Sequence, residues 1–241
     1  MKPQLAHRKP VRRLTIIATA LVVASSAVAR AQVGYPPAAS PYVDVETTQE
    51  LTAFGGWFKA HVDPAKAAPQ SGPIMGVHYE WRAGGPAHLT AEFARVNSTR
   101  SLLDPGKPAA TREYGNITRP LYAADFALGM ALTGAKSWHH LVPELKAGGG
   151  FVSDFRSQAD SGGFRFGTRF ALSWGGGVRW VPGGHLQLRG DINNRLYTIS
   201  YPNSYYIAPT GGTALVGPKQ AKSFWTNNPA FTLGISYLFS R

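Results

Sequence analysis

Acidic and basic side chains recur at every second position within several otherwise apolar segments. Such spacing places the charges on one face of a β-strand and the apolar residues on the other. The charged face holds Glu80, Arg82, Glu92, Asp125, Arg179, Arg189 and Asp191, with Glu144 and Lys146 in a weaker segment. Because an isolated buried charge is unfavourable, charges that share an enclosed face are expected to pair. We interpret the set as a salt-bridged interior polar network, and a narrow gated polar path is the alternative.

Histidines and glycine runs are the other candidates for chemistry. His78 lies on a charged face, but no serine stands at a motif spacing that would supply a nucleophile. The pair His139 and His140 lacks nearby acids or further histidines for a metal site. The glycine runs 148–150 and 175–177 lack the flanking residues of a phosphate loop, and curvature or close packing explains them better. We predict no catalytic, metal-ligating or cofactor-binding residue and no cofactor.

The last predicted strand, residues 230–240, shows the alternation most clearly. One face carries Phe231, Leu233, Ile235, Tyr237 and Phe239, and the other carries Thr232, Gly234, Ser236 and Ser240, with Leu238 the single exception. A soluble sheet can alternate in the same way. A closing strand that ends in aromatic residues on an exported chain is instead typical of an outer-membrane barrel, in which apolar side chains face lipid.

Eight segments are predicted to be strands, and residues 49–241 are predicted to form one barrel. The strands are placed at residues 50–59, 73–83, 88–98, 121–133, 138–153, 167–181, 185–200 and 230–240. Long connections at 60–72, 99–120, 154–166 and 201–229 alternate with short ones at 84–87, 134–137 and 182–184. This order predicts an all-β, antiparallel up-and-down transmembrane β-barrel of about eight strands, with short periplasmic turns and long extracellular loops.

Two local features of the predicted strands bear on this barrel. Pro143 predicts a bulge or a strand end. The register of the first strand stays open, because Leu51 and Trp57 lie on one face while Phe54 and Phe58 lie on the other.

Aromatic residues collect near both ends of the predicted strands. Trp81, Trp138, Trp180 and Phe239 lie beside short connections or the C-terminus, and Trp57, Tyr122, Phe151, Phe170 and Tyr197 lie beside long ones. Two aromatic belts are the expected result of anchoring at two membrane interfaces. Aromatic residues also favour strand ends in other sheets, so this is supporting evidence only.

The N-terminus has the three parts of a secretory signal peptide. A basic stretch precedes the apolar run 14–23, and Ala29-Arg30-Ala31 fits a cleavage site. The run is too short for a membrane anchor, which needs about 20 apolar residues. We predict that residues 1–31 are a cleaved signal and that residues 32–48, rich in Pro and Ala, form a loose lead.

Composition excludes several classes of function. The formal net charge of the 241 residues is +12, but the predicted signal holds six of the 25 basic residues, which leaves 19 against 13 acidic ones, or +6. These charges are scattered, so nucleic-acid binding is not expected. The chain has no cysteine, which excludes disulfides, thiol nucleophiles and thiolate metal sites. A soluble lipocalin-type barrel would have the opposite pattern of faces.

These features resemble the bacterial outer-membrane β-barrel domain family, the OmpA-like and OmpX-type small barrels. Thr232, Gly234, Tyr237 and Phe239 are similar to the C-terminal insertion signal of that family, and residues 175–180 followed by 188–191 resemble its paired sixth and seventh strands. The resemblance covers residues 48–241. It implies a location in the outer membrane and no shared catalytic activity.

Together the patterns predict a non-enzymatic, porin-like scaffold of the Gram-negative cell envelope that displays its surface loops for envelope integrity or surface interaction. A lipid-modifying barrel enzyme and a narrow channel for small solutes are the alternatives. The expected partners are outer-membrane lipid and lipopolysaccharide, the barrel assembly machinery during insertion, and an extracellular partner of the loops. The longest loop is equally suited to binding such a partner and to folding over the barrel mouth.

Overall fold

The computed structural model describes residues 40–155, 159–210 and 212–239. The predicted signal, with Ala29 and Ala31, lies outside these residues and stays a prediction, as does most of the predicted lead. The strands belong to one compact unit that begins at Tyr42. Within the described residues, no helix is long and apolar enough to cross a membrane.

The described residues form one antiparallel sheet of ten strands. The strands are β1 (Tyr42–Asp44), β2 (Gln49–Phe58), β3 (Gly72–Gly84), β4 (Ala87–Leu103), β5 (Glu113–Ala131), β6 (Lys136–Trp138), β7 (Leu141–Ser153), β8 (Thr168–Trp180), β9 (Leu186–Ser200) and β10 (Ser223–Phe239). Eight of them close into a ring, because β10 pairs with both β9 and β2. The short strands β1 and β6 pair with each other beside β7. The predicted eight-stranded up-and-down barrel is confirmed.

The seam between β10 and β2 settles the register of the first barrel strand. Phe231 pairs with Trp57, and Tyr237 pairs with Leu51. Leu51 and Trp57 are exposed on the outer face, whereas Glu50, Thr52 and Phe58 are buried inside. The sequence left this register open because both faces of the segment carry large apolar residues. Pairing with two neighbouring strands decides it.

Two predicted loops are shorter than expected. Strands β4 and β5 continue past the apolar segments, with Thr99 paired to Thr118, so their loop spans only residues 104–112. Strand β10 begins seven residues before the predicted strand, and Trp225 pairs with Thr198. These extensions mix polar residues with scattered apolar ones such as Leu102, Ile117 and Trp225, so they lack the sustained hydrophobic alternation that a sequence pattern could detect.

Two smaller predictions also need correction. Part of the predicted loose lead is strand β1. Pro143 lies inside β7, paired with Val178, and its carbonyl accepts the N–H of Leu132 at 2.8 Å. The proline is tolerated because it lies where β5 has already ended, so only one bond of that ladder is lost.

Apolar residues cover the outside of the barrel, and polar residues fill much of the inside. Leu233, Phe126 and Ile235 on the outer face are 76%, 71% and 61% exposed. Trp81, Trp138 and Trp180 are exposed at the end with the short connections, here called the turn end. Trp57, Phe151 and Phe170 are exposed at the opposite loop end, but Tyr197, predicted to join them, points inward and is buried.

Candidate functional site: an ion-paired lumen

Charged and titratable side chains from six strands meet inside the turn end of the barrel. We call this group the turn-end network: Glu50, Glu80, His88, Glu144, Arg179, Arg189 and Asp191, all of them buried. Each strand supplies them at alternate positions, because only every second residue points inward. The same strands carry mainly apolar residues at the intervening, outward positions, so the period-2 alternation of the sequence directs the charged groups into the lumen.

Arg189 is the centre of the turn-end network. Its Nε donates to Asp191 Oδ2 at 2.7 Å, and its Nη1 donates to Glu50 Oε1 at 3.0 Å. The same Nη1 donates to Glu80 Oε2 at 3.3 Å, and Nη2 contacts Glu144. A planar guanidinium with five donors is suited to bind several carboxylates at once. One buried cation therefore stabilises four carboxylates from four strands.

Arg179 binds three of the same carboxylates. Its Nη1 lies 2.9 Å from Glu80 Oε1 and 3.1 Å from Glu50 Oε2, and its Nε lies 3.1 Å from Glu144 Oε2. Thr52 adds a hydrogen bond to Glu50 Oε1 at 2.8 Å. The two arginines thus connect strands β2, β3, β7, β8 and β9 across the lumen.

A second group, the mid-barrel network, lies between the turn-end network and the loop end of the barrel. It consists of His78, Glu92, Asp125, Lys146, Asn193 and Arg195. Arg195 donates from Nε to Asp125 Oδ2 at 2.7 Å and from Nη2 to Glu92 Oε1 at 2.5 Å. Lys146 Nζ lies 3.5 Å from Glu92 Oε2 and 3.9 Å from Asp191 Oδ1, which joins the two networks.

The structure brings most of the sequence-predicted interior residues into these two networks. Arg82 differs: it is half-buried at the turn end, and its guanidinium donates to the carbonyl of Val45 at 2.5 Å. Thr232 and Gly234 lie on the inward face of β10, and Tyr237 and Phe239 lie on its outward face. Their role as an insertion signal stays a prediction, because no contact in a folded barrel reports on recognition by an assembly factor.

Sequence reasoning missed three members of the networks. Glu50 was missed because the register of its strand was open. Arg195 continues the inward period of Asn193 by two residues, and His88 precedes Thr90 on its inward face by two. Extending each period to the strand ends would have found both.

The inward glycines of β7 and β8 make room for this packing. A Cβ at Gly177 would lie 2.4 Å from Asp191 Oδ1, and one at Gly150 would lie 1.9 Å from the carbonyl oxygen of Ala124. Any larger residue would displace a network carboxylate or a neighbouring strand. The glycine runs therefore serve close packing, as the sequence indicated.

The loop end of the lumen is filled by apolar side chains. Phe58, Ile74, Leu121, Val152 and Tyr197 from the barrel are buried there. They pack with residues from the connections after β2, β7 and β9, namely Ala67, Phe164, Phe166, Tyr201, Tyr205 and Val216. We call this layer the loop cap. Three of the four long loops thus fold over the barrel mouth.

Two buried tyrosine–aspartate pairs fasten the loop cap. Tyr201 Oη donates to Asp63 Oδ2 at 2.5 Å, which joins the last loop to the first. Tyr205 donates to Asp160, which joins the last loop to the third. Burial, followed by the hydrogen bond to a carboxylate, raises the pKa of Tyr201 and of Tyr205 above the usual range. Both phenols therefore stay protonated donors.

Little space remains between the charged side chains. A cavity of about 20 Å³ lies among Glu92, Asp125, Lys146 and Arg195, and one of about 10 Å³ lies beside Glu50 and Arg82 at the turn end. Each has room for about one water molecule. Within the described residues, these interior cavities do not amount to a pore.

A large concavity lies on the outer wall of the barrel. It is a groove of about 990 Å³ that runs across β2, β10, β9, β8 and β7. Outward-facing Gly55, Gly176 and Gly190 leave it open, and Leu145, Ile192 and Leu233 form its sides. Its lining is predominantly apolar, so it belongs to the outer apolar surface.

No protein-family model and no curated protein sequence matches the chain. Among solved structures, it is similar to Neisserial surface protein A, with 12% identity, a TM-score of 0.49, and coverage of 79% of this chain and 97% of that one. It is also similar to the outer membrane protein OprG from Pseudomonas aeruginosa, with 11% identity, a TM-score of 0.46, and coverage of 81% and 98%.

A third similar structure is Ail, the attachment invasion locus protein of Yersinia pestis, with 14% identity, a TM-score of 0.39, and coverage of 81% and 100%. Identities this low concern the fold alone. The barrel assignment rests on the strand register and the burial pattern described above.

Proposed function

We propose that the protein is a non-enzymatic integral β-barrel of a bacterial outer membrane, a scaffold that holds a folded loop cap at the cell surface. The inverted distribution of side chains carries this proposal: charges are buried inside, and large apolar residues are exposed outside. Water would disfavour exposed Leu233, Phe126 and Ile235, whereas lipid accepts them. The barrel strands have 10 to 19 residues, and a tilted strand needs about 9–11 to cross a bilayer.

The outer groove and the exposed tryptophans fit the same location. Acyl chains would fill the groove between Leu145 and Leu233. Trp81 and Trp180 at the turn end, with Trp57 at the loop end, would lie at the two interfaces. We place the turn end in the periplasm and the loop end outside, because short turns and long loops segregate in this way in outer-membrane barrels.

A closed lumen favours a scaffold over a channel for small solutes. The two charged networks and the loop cap leave interior cavities of about 20 and 10 Å³. A conducting path would require the cap to leave the mouth and at least Arg189 and Arg195 to leave their carboxylates. Such a movement exposes buried charges that lose their partners, which is unfavourable.

The position of His78 disfavours a lipid-modifying enzyme. A hydrolase or transferase of this kind needs a nucleophile and a base that a lipid can reach. The Nε2 of His78 lies 3.5 Å from Glu80 and its Nδ1 lies 3.6 Å from Glu92, so both nitrogens face carboxylates inside the lumen. The side chain is 2% exposed.

Partners of the proposed scaffold follow from its two surfaces. The apolar wall contacts outer-membrane lipid and lipopolysaccharide, and the closing strand with Tyr237 and Phe239 would be read by the barrel assembly machinery. The loop end presents exposed basic residues, among them Lys66, Lys107 and Lys222, which suit an anionic surface partner.

Expression in a Gram-negative host, followed by membrane fractionation, tests this proposal. We expect the protein in the outer-membrane fraction, with faster electrophoretic migration before boiling than after it. Purified protein in planar bilayers should show no conductance steps, and it should leave lipid A unmodified. Recovery as a soluble periplasmic protein would refute the membrane assignment. Regular conductance steps would replace the scaffold with the channel, and modified lipid A would replace it with the enzyme.

A further inference from the structure

Three side chains of the turn-end network converge on one point without contacting each other. His88 Nε2 lies 3.8 Å from Glu80 Oε2 and 3.9 Å from Glu144 Oε2. One potential metal-ligand atom from each residue lies within 4.8 Å of the corresponding atoms of the other two. These separations are too long for hydrogen bonds. They are the separations of atoms that surround a common centre.

Two of the three facing atoms lack hydrogen bonds of their own. His88 is 2% exposed, and its Nε2 has no hydrogen-bond partner in the described part of the chain. The same holds for Glu144 Oε2, whose nearest cation is Arg179 Nε at 3.1 Å in a poorly aligned contact. Buried polar atoms are normally hydrogen-bonded, and each one left without a partner is destabilising. A ligand that contacts both atoms would satisfy both.

The backbone is built to hold His88 in this position. His88 on β4 pairs with Gly129 on β5, and the imidazole lies over the glycine. A Cβ at Gly129 would lie 1.9 Å from His88 Nε2. Any other residue at position 129 would push the ring away from Glu80 and Glu144.

The charges of the lumen are not balanced. The two networks hold six carboxylates, namely Glu50, Glu80, Glu92, Asp125, Glu144 and Asp191, against four cations, namely Lys146, Arg179, Arg189 and Arg195. Half-buried Arg82, which lines the turn-end cavity with Glu50 and Glu80, reduces this excess from two negative charges to one. The enclosed excess of negative charge favours a bound cation.

We propose that Glu80, His88 and Glu144 bind a divalent first-row transition-metal ion of the zinc type. His88 Nε2 lies 3.8 and 3.9 Å from the two carboxylate oxygens, and the three ligand atoms lie within 4.8 Å of one another. An ion equidistant from them therefore lies at most about 2.5 Å from each, so a small inward movement brings all three to the usual metal–nitrogen and metal–oxygen distances. One imidazole nitrogen with two carboxylate oxygens is a ligand set that such ions accept. Glu80 Oε2 accepts a 3.3 Å hydrogen bond from Arg189 and lies 3.5 Å from His78 Nε2, and the ion would replace the Arg189 contact.

An ion can reach this site from the turn end. The small cavity there is lined by Thr47, Glu50, Glu80, Arg82 and Arg179, among others, so Glu80 lies at the boundary between the mouth and the network. The bound ion links β3, β4 and β7, and its role is to stabilise the closed lumen. This inference does not depend on the membrane assignment, because the site is formed by the barrel interior alone.

Binding of Co²⁺ and Zn²⁺ to the refolded mature chain, carried without a histidine tag, tests the proposal. The exposed pair His139 and His140 is first replaced by asparagine in all samples, to remove a competing surface site. Asparagine suits both positions because their φ values, 48° and 65°, are in the left-handed region. We expect one equivalent of metal per chain and visible absorption bands of bound Co²⁺ that Zn²⁺ abolishes.

Three variants assign the ligands. His88→Asn and Glu144→Gln should each weaken binding by about tenfold or more, and Gly129→Ala should do so while leaving all three ligands in the sequence. His185→Asn at the same end of the barrel should bind like the parent. Heat-dependent migration verifies folding, and only folded variants are compared.

Failure of the folded parent to bind Co²⁺ or Zn²⁺ would overturn the proposal. So would binding that the His88 and Gly129 variants leave unchanged. If His88→Asn does not fold, the Gly129→Ala result decides, and if neither folds, the stoichiometry and absorption of the parent decide.

Discussion

Replacement of Arg189 by methionine should destabilise the barrel more than any other single loss of a charge. Methionine keeps much of the volume of arginine but removes every donor. Arg189 donates to Glu50 at 3.0 Å, to Glu80 at 3.3 Å and to Asp191 at 2.7 Å, and it also contacts Glu144. Without it, three buried carboxylates are left to Arg179, and Asp191 is left to Lys146 at 3.9 Å.

The magnitude follows from burial. Removal of one partner from a buried ion pair is destabilising by about 3–5 kcal/mol, because the remaining charge stays desolvated. A surface pair contributes no more than about 1 kcal/mol. Lys136 and Asp44 form such a pair at 3.6 Å, with side chains that are 53% and 69% exposed. Lys136→Met is therefore the matched control.

Urea titration of protein folded in lipid vesicles, followed by tryptophan fluorescence, measures both free energies of unfolding. Addition of Asp191→Asn to Arg189→Met should recover part of the loss, because one uncompensated carboxylate is then neutral. The reasoning is refuted if Arg189→Met destabilises the protein no more than Lys136→Met. That result would mean that water or counterions reach the lumen and replace the guanidinium.

Three further predictions concern the outer wall, the loop cap and the proposed ion site. Leu233→Arg should destabilise the folded barrel in vesicles by about 2–4 kcal/mol. Val62→Arg, at an equally exposed loop position, should change the free energy of unfolding little. Equal effects of the two variants in urea titrations would argue against a lipid-facing wall. Tyr201→Phe should increase the rate of loop proteolysis, because the cap loses a hydrogen bond worth about 1–3 kcal/mol. Because burial raises the pKa of Tyr201, the contribution of its hydrogen bond to the stability of the cap is complete below pH of about 10 and is lost as pH rises further. Protease protection that is independent of pH up to pH of about 11 would contradict this. Gly129→Ala should cost about 1–3 kcal/mol by overpacking against His88, and unchanged stability in the same titration would show that the ring lies elsewhere.

The eight-stranded barrel was predictable because its determinants are local. Alternation with period 2, seen most clearly from Phe231 to Phe239, and the order of long and short connections follow directly from the chain. The bounds of β5 and β10 were not predictable in the same way. Their extensions, such as residues 113–120, contain polar residues together with glycine and proline, and only pairing with a neighbouring strand makes them β-structure.

The interior residues were predictable one by one, but their partners were not. Period 2 places Asp125 and Asn193 inside, yet which charges meet depends on the closure and register of the whole ring. Arg195 and Asp125 are separated by 70 residues, and Arg189 and Glu50 by 139. His78 stood out in the sequence because acidic residues flank it on one face. His88, like His78, has a buried Nε2 without a hydrogen bond in the described part of the chain, and its place between Glu80 and Glu144 became visible only when the ladder set it opposite Gly129.

Lipid accessibility along β10 tests the central claim, an apolar wall around a charged lumen, most directly. The chain has no cysteine, so single cysteines at positions 231–238 can each carry a fluorescent label in vesicles that contain lipids with a quenching group on the acyl chain. We predict strong quenching at 231, 233, 235 and 237 and weak quenching at 232, 234, 236 and 238, with buried Leu238 grouped with the polar positions. Quenching with the opposite phase, or without alternation, would contradict the account.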